Sequence, residues 1–211
     1  MRFRFIVMAL AIAAAGRAEA ASSLCGTIEG NLVQNCGFEL DAPSQETAPV
    51  DWVFTPASNS SDFAIDPPSP PAPLGAHSGT GFVAFGAFGD VPDELSQSIA
   101  TVAGDRYDIS FYVAPSGQIP AAFTADFGTT TLLSVINPPA ANGGYALESF
   151  TVTAASASTL LAFFGEDNSS FVSLDDVSVT DLGPVAVPEP ASLAIAAAGL
   201  IGLGLVRRRN R

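Results

Sequence analysis

The chain has 211 residues, a net charge of −13 at pH 7, eight basic residues that are all arginine, and two cysteines. Most of the arginines lie at the two ends of the chain, so the middle is strongly acidic. A surface of this kind repels nucleic acid and anionic lipid headgroups, which excludes both as partners of the body. It suits solubility outside the cell.

The N-terminus has the pattern of a secretory signal peptide. Arg2 and Arg4 precede the apolar run Phe5–Ala15, and small residues follow at the positions that a signal peptidase reads. We therefore predict a signal peptide over residues 1–20 and cleavage between Ala20 and Ala21. Two charged residues between the apolar run and this site leave an uncleaved anchor as the alternative.

The two cysteines, Cys25 and Cys36, follow this segment closely. Because the chain is addressed to an oxidising compartment, we expect a disulfide that fixes the N-terminus of the body. Lipidation of Cys25 is an alternative, but the residue before it, Leu24, is not the small residue of a lipobox. Two thiols without a nearby histidine make a poor zinc site.

The body, residues 21–187, alternates apolar and polar residues with the period of a β-strand. Turn-forming residues separate these short runs, and no long amphipathic helix lies between the termini. About eight to ten strands are expected, which predicts an all-β antiparallel sandwich. The clearest runs are Tyr107–Val113, Phe123–Phe127, Phe150–Val152, Val172–Leu174 and Val177–Val179.

A proline-rich segment, Pro67–Pro73, interrupts the strand pattern. Its five prolines cannot join a central strand and favour polyproline II. Only about 46 residues of the mature chain precede it, which is marginal for an independent hydrophobic core. We therefore interpret it as a long loop within one domain.

Several segments together resemble galactose-binding-like jelly rolls, to which many carbohydrate-binding modules belong. The matching segments occur in the same order as in that family. They are Asn31–Glu39, which Trp52 follows; Leu95–Ile99; Val102–Gly104, which leads to Tyr107 and Phe111–Tyr112; and Leu174–Val179 as the closing strand. The resemblance implies an antiparallel jelly-roll β-sandwich. It also implies a structural calcium ion held by Glu39, Asp175 and Asp176, carboxylates on the first and last strands, which commonly lie side by side.

Alternation along a strand predicts that only one of Asp175 and Asp176 turns towards Glu39. Paired carboxylates are also the acid and base of glycosidases, and this remains a remote alternative. The only histidine, His77, is next to Ser78. Adjacent residues cannot normally form a catalytic triad, so we interpret His77 as a turn residue before a strand.

Sugar binding would require exposed aromatic faces with polar neighbours. The candidates are Tyr112, Trp52 and Tyr145. Tyr112 is favoured because it lies on the opposite row to Phe111. For Trp52 the alternative is a place in the core.

The C-terminus combines three features: Pro188-Glu189-Pro190, an apolar run from Ala191 to Val206, and a terminal cluster that includes Arg207, Arg208 and Arg209. As a helix the run would be about 24 Å long, slightly short of the roughly 30 Å hydrocarbon core of a bilayer. The arginines would remain on the cytoplasmic side and stop the helix there. A buried core helix is the alternative.

This tail resembles the tripartite PEP-CTERM sorting signal of bacteria that make exopolysaccharide. The resemblance implies processing by an exosortase, a membrane-embedded transpeptidase-like enzyme, over a segment spanning residues 188–211. We therefore expect an exported envelope protein, anchored by its C-terminal helix or released to the matrix, whose body binds polysaccharide without catalysis. A structural or adhesive matrix protein with no small ligand is the alternative, and a glycoside-active enzyme the remote one.

Overall fold

A computed structural model describes residues 23–40, 48–56, 62–65, 75–87, 89, 91–140 and 144–185, with the backbone alone given for 62–65. The predicted signal peptide, the proline-rich loop and the sorting tail lie outside these ranges. Among the residues described, no helix has the length and apolar character that crossing a membrane requires.

Within the described ranges, ten strands form two five-stranded sheets, and every pairing between them is antiparallel. In chain order the strands are β1 (Val53–Thr55), β2 (Asp62–Ile65), β3 (Val83–Gly86), β4 (Asp93–Ala100), β5 (Asp105–Pro115), β6 (Ala121–Phe127), β7 (Thr130–Ile136), β8 (Ala146–Thr153), β9 (Ser158–Asp167) and β10 (Val172–Pro184). Sheet A has the order β1-β4-β9-β6-β7, and sheet B the order β2-β3-β10-β5-β8. The predicted all-β jelly-roll sandwich is confirmed.

The core lies between the two sheets and is rich in phenylalanine. Alternation along β5 and β6 turns Phe111 and Phe123 inward, as predicted. Phe163 of β9 meets both rings, with centroids 5.2 Å and 6.2 Å away. Offset and edge-to-face ring contacts of this kind add to the free energy gained from burying the rings.

The N-terminal segment of the body differs from the prediction. Asn31–Glu39 was expected to be the first strand, but it is a series of turns, because Asn35 and Phe38 adopt positive φ angles of 47° and 59° that break an extended backbone. The segment still lies beside β10. The Leu32 amide donates to the Val179 carbonyl at 2.8 Å, and the Val177 amide donates to the Cys36 carbonyl at 2.9 Å.

The predicted disulfide is confirmed. Cys25 and Cys36 are bonded to each other, and their Cα atoms are 6.0 Å apart. Cys25 begins a single 3-10 turn, Cys25–Thr27, and both cysteines are buried among core residues. The bond therefore closes a loop within the turn-rich segment, which its hydrogen bonds to Val177 and Val179 hold against the last strand.

Candidate functional site

A β-bulge in β10 brings together two carboxylates that regular alternation would separate. Asp175 pairs with Tyr112 of β5, but the next pair is Ser178 with Ser110, so β10 carries one extra residue. Asp176 occupies this bulge with a φ of 49°. Because of the bulge both side chains are buried and enter one cluster with His77, and Glu39, towards which one of them was expected to turn, is not a member of it.

Asp176 connects three segments that are distant in sequence. Its Oδ2 atom lies 2.7 Å from His77 Nδ1 and accepts a 2.7 Å hydrogen bond from the Ser78 hydroxyl. Its Oδ1 atom accepts a 3.0 Å hydrogen bond from the Cys25 amide. Ser78 also reaches the N-terminal segment, since its hydroxyl oxygen accepts a 2.7 Å hydrogen bond from the Leu24 amide. The carboxylate thus joins the loop before β3, the disulfide-bonded segment and the last strand.

Asp175 binds the backbone of the same loop. Its Oδ2 atom accepts hydrogen bonds from the amides of His77 at 2.7 Å and Ser78 at 3.1 Å, and its Oδ1 atom accepts one from the Asp176 amide at 2.7 Å. Burial, together with the charge of Asp176, raises the pKa of Asp175 to about 8, although the three amide donors oppose the shift. The carboxyl is therefore protonated far more readily than an exposed aspartate.

Two of the predicted sugar-binding rings lie against this cluster. The Tyr112 ring stacks on the His77 imidazole with 3.6 Å between centroids, and Tyr145 meets the imidazole edge-on at 5.4 Å. The Tyr145 hydroxyl donates a 3.1 Å hydrogen bond to the Gly75 carbonyl. Burial, and then the charge of Asp175, raises the pKa of the Tyr145 phenol, which keeps it a protonated donor. Both rings are thus engaged within the protein.

Glu39 holds the next part of the same loop. Its Oε1 atom accepts hydrogen bonds from the amides of Thr80 at 2.9 Å and Gly81 at 3.0 Å, and its Oε2 atom accepts one from the Thr80 hydroxyl at 3.0 Å. Gly79 has a φ of 63°, and a Cβ atom there would collide with the Glu39 carboxylate. Glycine is required at this position for the loop to approach so closely.

The arrangement does not fit the calcium site that the resemblance implies. One potential ligand atom from each of His77, Asp175 and Asp176 lies within 4.8 Å of the others, but Glu39 is not part of this group. Calcium takes six to eight oxygen ligands. Here one member is a histidine, and every carboxylate oxygen already accepts a hydrogen bond from the protein. Hydrogen bonds within the protein thus engage all four oxygens of Asp175 and Asp176.

The proximity of His77, Ser78 and Asp176 does not reproduce a catalytic triad. In a triad the histidine lies between the nucleophile and the carboxylate. Here the carboxylate lies between the other two, because both Ser78 Oγ and His77 Nδ1 bind the same Asp176 oxygen. As predicted, His77 occupies a bend that precedes a strand, β3. What the sequence did not indicate is its bond to Asp176.

Trp52 is a core residue, which agrees with the core position that the sequence analysis offered for it and removes it as a sugar contact. It immediately precedes β1, is only 5% exposed, and packs against Phe38 and Phe163 with ring centroids 5.6 Å and 6.2 Å away. Its indole nitrogen donates to the Asn35 carbonyl at 3.3 Å. Neither face of the indole is available to a ligand.

The outer face of sheet A carries an aromatic residue that the sequence analysis did not select. Phe163 of β9 points into the core, so its neighbour Phe164 points to the outer face, where it is half-buried. Phe164 lies opposite Glu94 on one side and Thr124 on the other. The adjacent pair Phe163-Phe164 within a strand could have revealed it, since alternation must turn one of the two rings outward.

Polar groups surround Phe164 on this face. Glu166 is two residues further along β9, and Asp126 lies diagonally opposite because it pairs with Ala162. The Thr124 and Ser134 hydroxyls, on the neighbouring strands, are 3.3 Å apart. One carboxylate oxygen, Asp126 Oδ1, is buried without a hydrogen-bond partner among the residues described. An aromatic face ringed by carboxylates and hydroxyls is the type of surface that accommodates a sugar ring.

The C-terminal tail carries a protein-sorting motif. Residues 186–209 match the PEP-CTERM protein-sorting motif. The chain carries a PEP-CTERM signal. This motif implies that the protein is exported, sorted to the cell envelope and processed by an exosortase, as the tail resemblance predicted.

Solved structures similar to the body of this PEP-CTERM protein share its fold at low identity. The K3 cleaved adhesin domain of Lys-gingipain from Porphyromonas gingivalis W83 aligns with a TM-score of 0.50 and 16% identity, over 70% of this chain and 98% of that one. The enzymatically active domain of tailspike protein 4 from bacteriophage CBA120 aligns with a TM-score of 0.50 and 9% identity, over 72% of this chain but only 22% of the tailspike.

A third similar structure is TmCBM61, solved with β-1,4-galactotriose, with a TM-score of 0.46 and 18% identity over 72% of this chain and 98% of that one. At these identities the similarities show the jelly-roll fold alone. No curated protein sequence matches the chain.

Proposed function

We propose that this exported protein binds polysaccharide of the extracellular matrix, without catalysis, through the outer face of sheet A. The observation that carries the proposal is Phe164, an outward-facing ring with Glu94 beside it and Asp126 and Glu166 nearby. The ring offers a flat apolar face for stacking against the C–H face of a sugar. The carboxylates accept hydrogen bonds from sugar hydroxyls, which fixes the orientation of the sugar.

Asp126 contributes an additional reason for a ligand to bind at this place. A buried carboxylate oxygen without a donor costs on the order of 1–3 kcal/mol. A small rotation of the Asp126 side chain would let a sugar hydroxyl donate to its Oδ1 atom and remove this cost. Stacking on Phe164 and hydrogen bonding to Asp126 would then act on the same sugar.

Affinity gel electrophoresis tests the proposal, with the purified full-length protein in gels that contain exopolysaccharide from the producing bacterium. Wild-type protein should be retarded, and Phe164→Ala should migrate as in a gel without polysaccharide, whereas Phe164→Trp should remain retarded. The matched control is Leu147→Ala, which removes an exposed apolar side chain from sheet B. Equal retardation of wild type and Phe164→Ala would reject this face as the binding surface.

An adhesive or structural role with no small ligand is the second candidate. It is favoured by the engagement of Trp52, Tyr112 and Tyr145 within the protein rather than at an open surface. The similar Lys-gingipain structure is likewise an adhesin domain. If wild-type protein is not retarded by the polysaccharide, while loss of the protein weakens cohesion of the matrix, this second function replaces the first.

For the ends of the chain we infer that the precursor is held at the membrane by its C-terminal helix until an exosortase cuts near Pro188-Glu189-Pro190. Signal peptidase would remove residues 1–20 first. Intact-mass measurement of the envelope-bound and secreted forms tests both cleavages at once. A mature chain that still begins at Met1, or a secreted form that retains Arg207–Arg209, would contradict this order of processing.

A further inference from the structure

An apolar cleft opens between the two sheets at one edge of the sandwich. Strands β7 and β8 are the edge strands of sheets A and B on this side. The cleft between them has a volume of about 290 Å³, and its walls are mainly apolar side chains, including those of Val113, Phe123, Leu133, Val135 and Val172. Leu133 and Val135 are only half-buried although they belong to the row that faces the core. The core is therefore accessible from this edge.

Among the residues described, Glu148 is the only charged one that lines this cleft. It pairs with Phe111 of β5, and it occupies the same inward row of β8 as Phe150 and Val152, which pack against the core. Glu148 is half-buried and thus places a carboxylate beside the apolar walls of the cleft.

No described basic residue is placed to neutralise Glu148. Arg106 pairs with Thr153 at the far end of β8, and His77 is bound to Asp176. The chain as a whole carries a net charge of −13, which further favours a positively charged partner. The cleft therefore combines an apolar volume with one negative charge that lacks a cation.

We propose that this cleft binds an apolar amine, with its alkyl or aryl group between the sheets and its ammonium group on Glu148. An engineered apolar cavity of about 150 Å³ binds benzene, so the larger volume here accommodates a phenyl ring with a short alkyl chain. The ammonium donates charge-assisted hydrogen bonds to the carboxylate. This site is separate from the Phe164 face, and neither proposal depends on the other.

Isothermal titration of the full-length protein with three probes that share one tail tests the inference. The probes are 4-phenylbutylamine, 4-phenylbutanol and 4-phenylbutyrate. The amine should bind at one site per chain. The affinity of the alcohol should be at least about tenfold lower, and binding of the carboxylate should not be measurable. The reason is that only the amine both fills the cleft and pairs with Glu148. Equal binding of amine and carboxylate, or no binding of any probe, overturns the proposal.

Variants separate the cleft from general attraction to an acidic surface. Glu148→Gln should abolish the preference for the amine over the alcohol, whereas the matched change Glu29→Gln, at an exposed position, should leave it unchanged. Val135→Trp should fill the cleft and prevent binding of both probes, and Leu133→Trp provides the same test if the first variant does not fold. Amine binding that survives Glu148→Gln, or that Glu29→Gln weakens equally, would show non-specific attraction and reject the site.

Discussion

The imidazole of His77 lies face to face with the phenol ring of Tyr112, 3.6 Å between centroids and 18° from parallel. The same imidazole is bound through Nδ1 to Asp176, which is almost completely buried. A loop residue is therefore held on one side by a strand of sheet B and on another by the bulge of β10. This double contact explains how the short segment before β3 keeps a defined position without regular secondary structure.

The ring stack of His77 on Tyr112 and the bond from His77 to Asp176 should be separable by mutation. His77→Asn retains a nitrogen donor for Asp176 and removes the stack, whereas His77→Phe retains the stack and removes the donor. Both should lower the free energy of unfolding, and His77→Phe should lower it more, because it leaves the buried Asp176 carboxylate with one donor fewer. Urea unfolding gives the values.

A double-mutant cycle of His77→Ala and Tyr112→Ala then measures the ring contact itself. A coupling of about 0.5–1.5 kcal/mol is expected for such a pair. A coupling of zero would mean that the rings are only neighbours.

Phe163 and Phe164 should behave oppositely although they are adjacent. Phe163→Ala removes a fully buried ring that contacts Trp52, Phe111 and Phe123, and it should cost about 3–5 kcal/mol of stability. Phe164→Ala should cost much less, because its ring is half-exposed, but it should abolish retardation by polysaccharide. Thermal unfolding and affinity electrophoresis of the two variants check this contrast. Similar losses of stability would contradict the assignment of the two faces.

The sequence predicted those features that depend on periodicity and missed those that depend on breaks in it. The alternation of apolar and polar residues was sufficient to place Phe111 and Phe123 in the core. The predicted export to an oxidising compartment was sufficient to predict the disulfide between Cys25 and Cys36. The bulge at Asp176 arises from one extra residue in β10, which no periodic pattern shows. It brings the side chains of both Asp175 and Asp176 into one buried cluster with His77, a grouping that regular alternation does not predict.

The turns over Asn31–Glu39 were missed for a related reason. The apolar residues of this segment, such as Val33 and Phe38, are buried as strand residues would be. They are buried by packing of irregular backbone against β10, in which Asn35 and Phe38 have positive φ angles. The outward position of Phe164 was predictable in principle, from two adjacent aromatic residues within one strand.

The disulfide should be a major source of stability. Cys25 and Cys36 are 11 residues apart, and in the chain-entropy model a bond that closes a loop of this size contributes about 3 kcal/mol. Cys25→Ser with Cys36→Ser should therefore lower the midpoint of urea unfolding to about the value of the reduced wild-type protein. The double variant itself should not respond to reductant. An unchanged midpoint after reduction of the wild type would show that packing against β10 holds the segment without the bond.

Calcium should not stabilise the protein. The loop before β3 is held by the hydrogen bonds that it donates to the carboxylates of Glu39, Asp175 and Asp176, whose oxygens are therefore already engaged. Thermal unfolding in EGTA and in excess calcium should give the same midpoint. A midpoint that rises with calcium, and a rise that Glu39→Gln removes, would restore the metal site that the family resemblance implies.

Stability should fall as pH rises from about 5 to 8, because of Asp175. Its pKa is about 8 in the folded protein and 3.8 as an ordinary aspartate, so between these values the folded state holds a proton that the unfolded state has released. The contribution is fully present below pH 4 and is lost as the pH rises through about 8. Urea midpoints measured at intervals over this range give the slope.

Asp175→Asn provides the control for this slope. It has no titrating group at this position, so its pH dependence over the same range should be flatter than that of the wild type, whatever its absolute stability. The difference between the two curves gives the contribution of Asp175. If the two slopes are equal, or if the wild type becomes more stable as the pH rises, Asp175 is ionised in the folded protein, and its three amide donors outweigh the effect of burial.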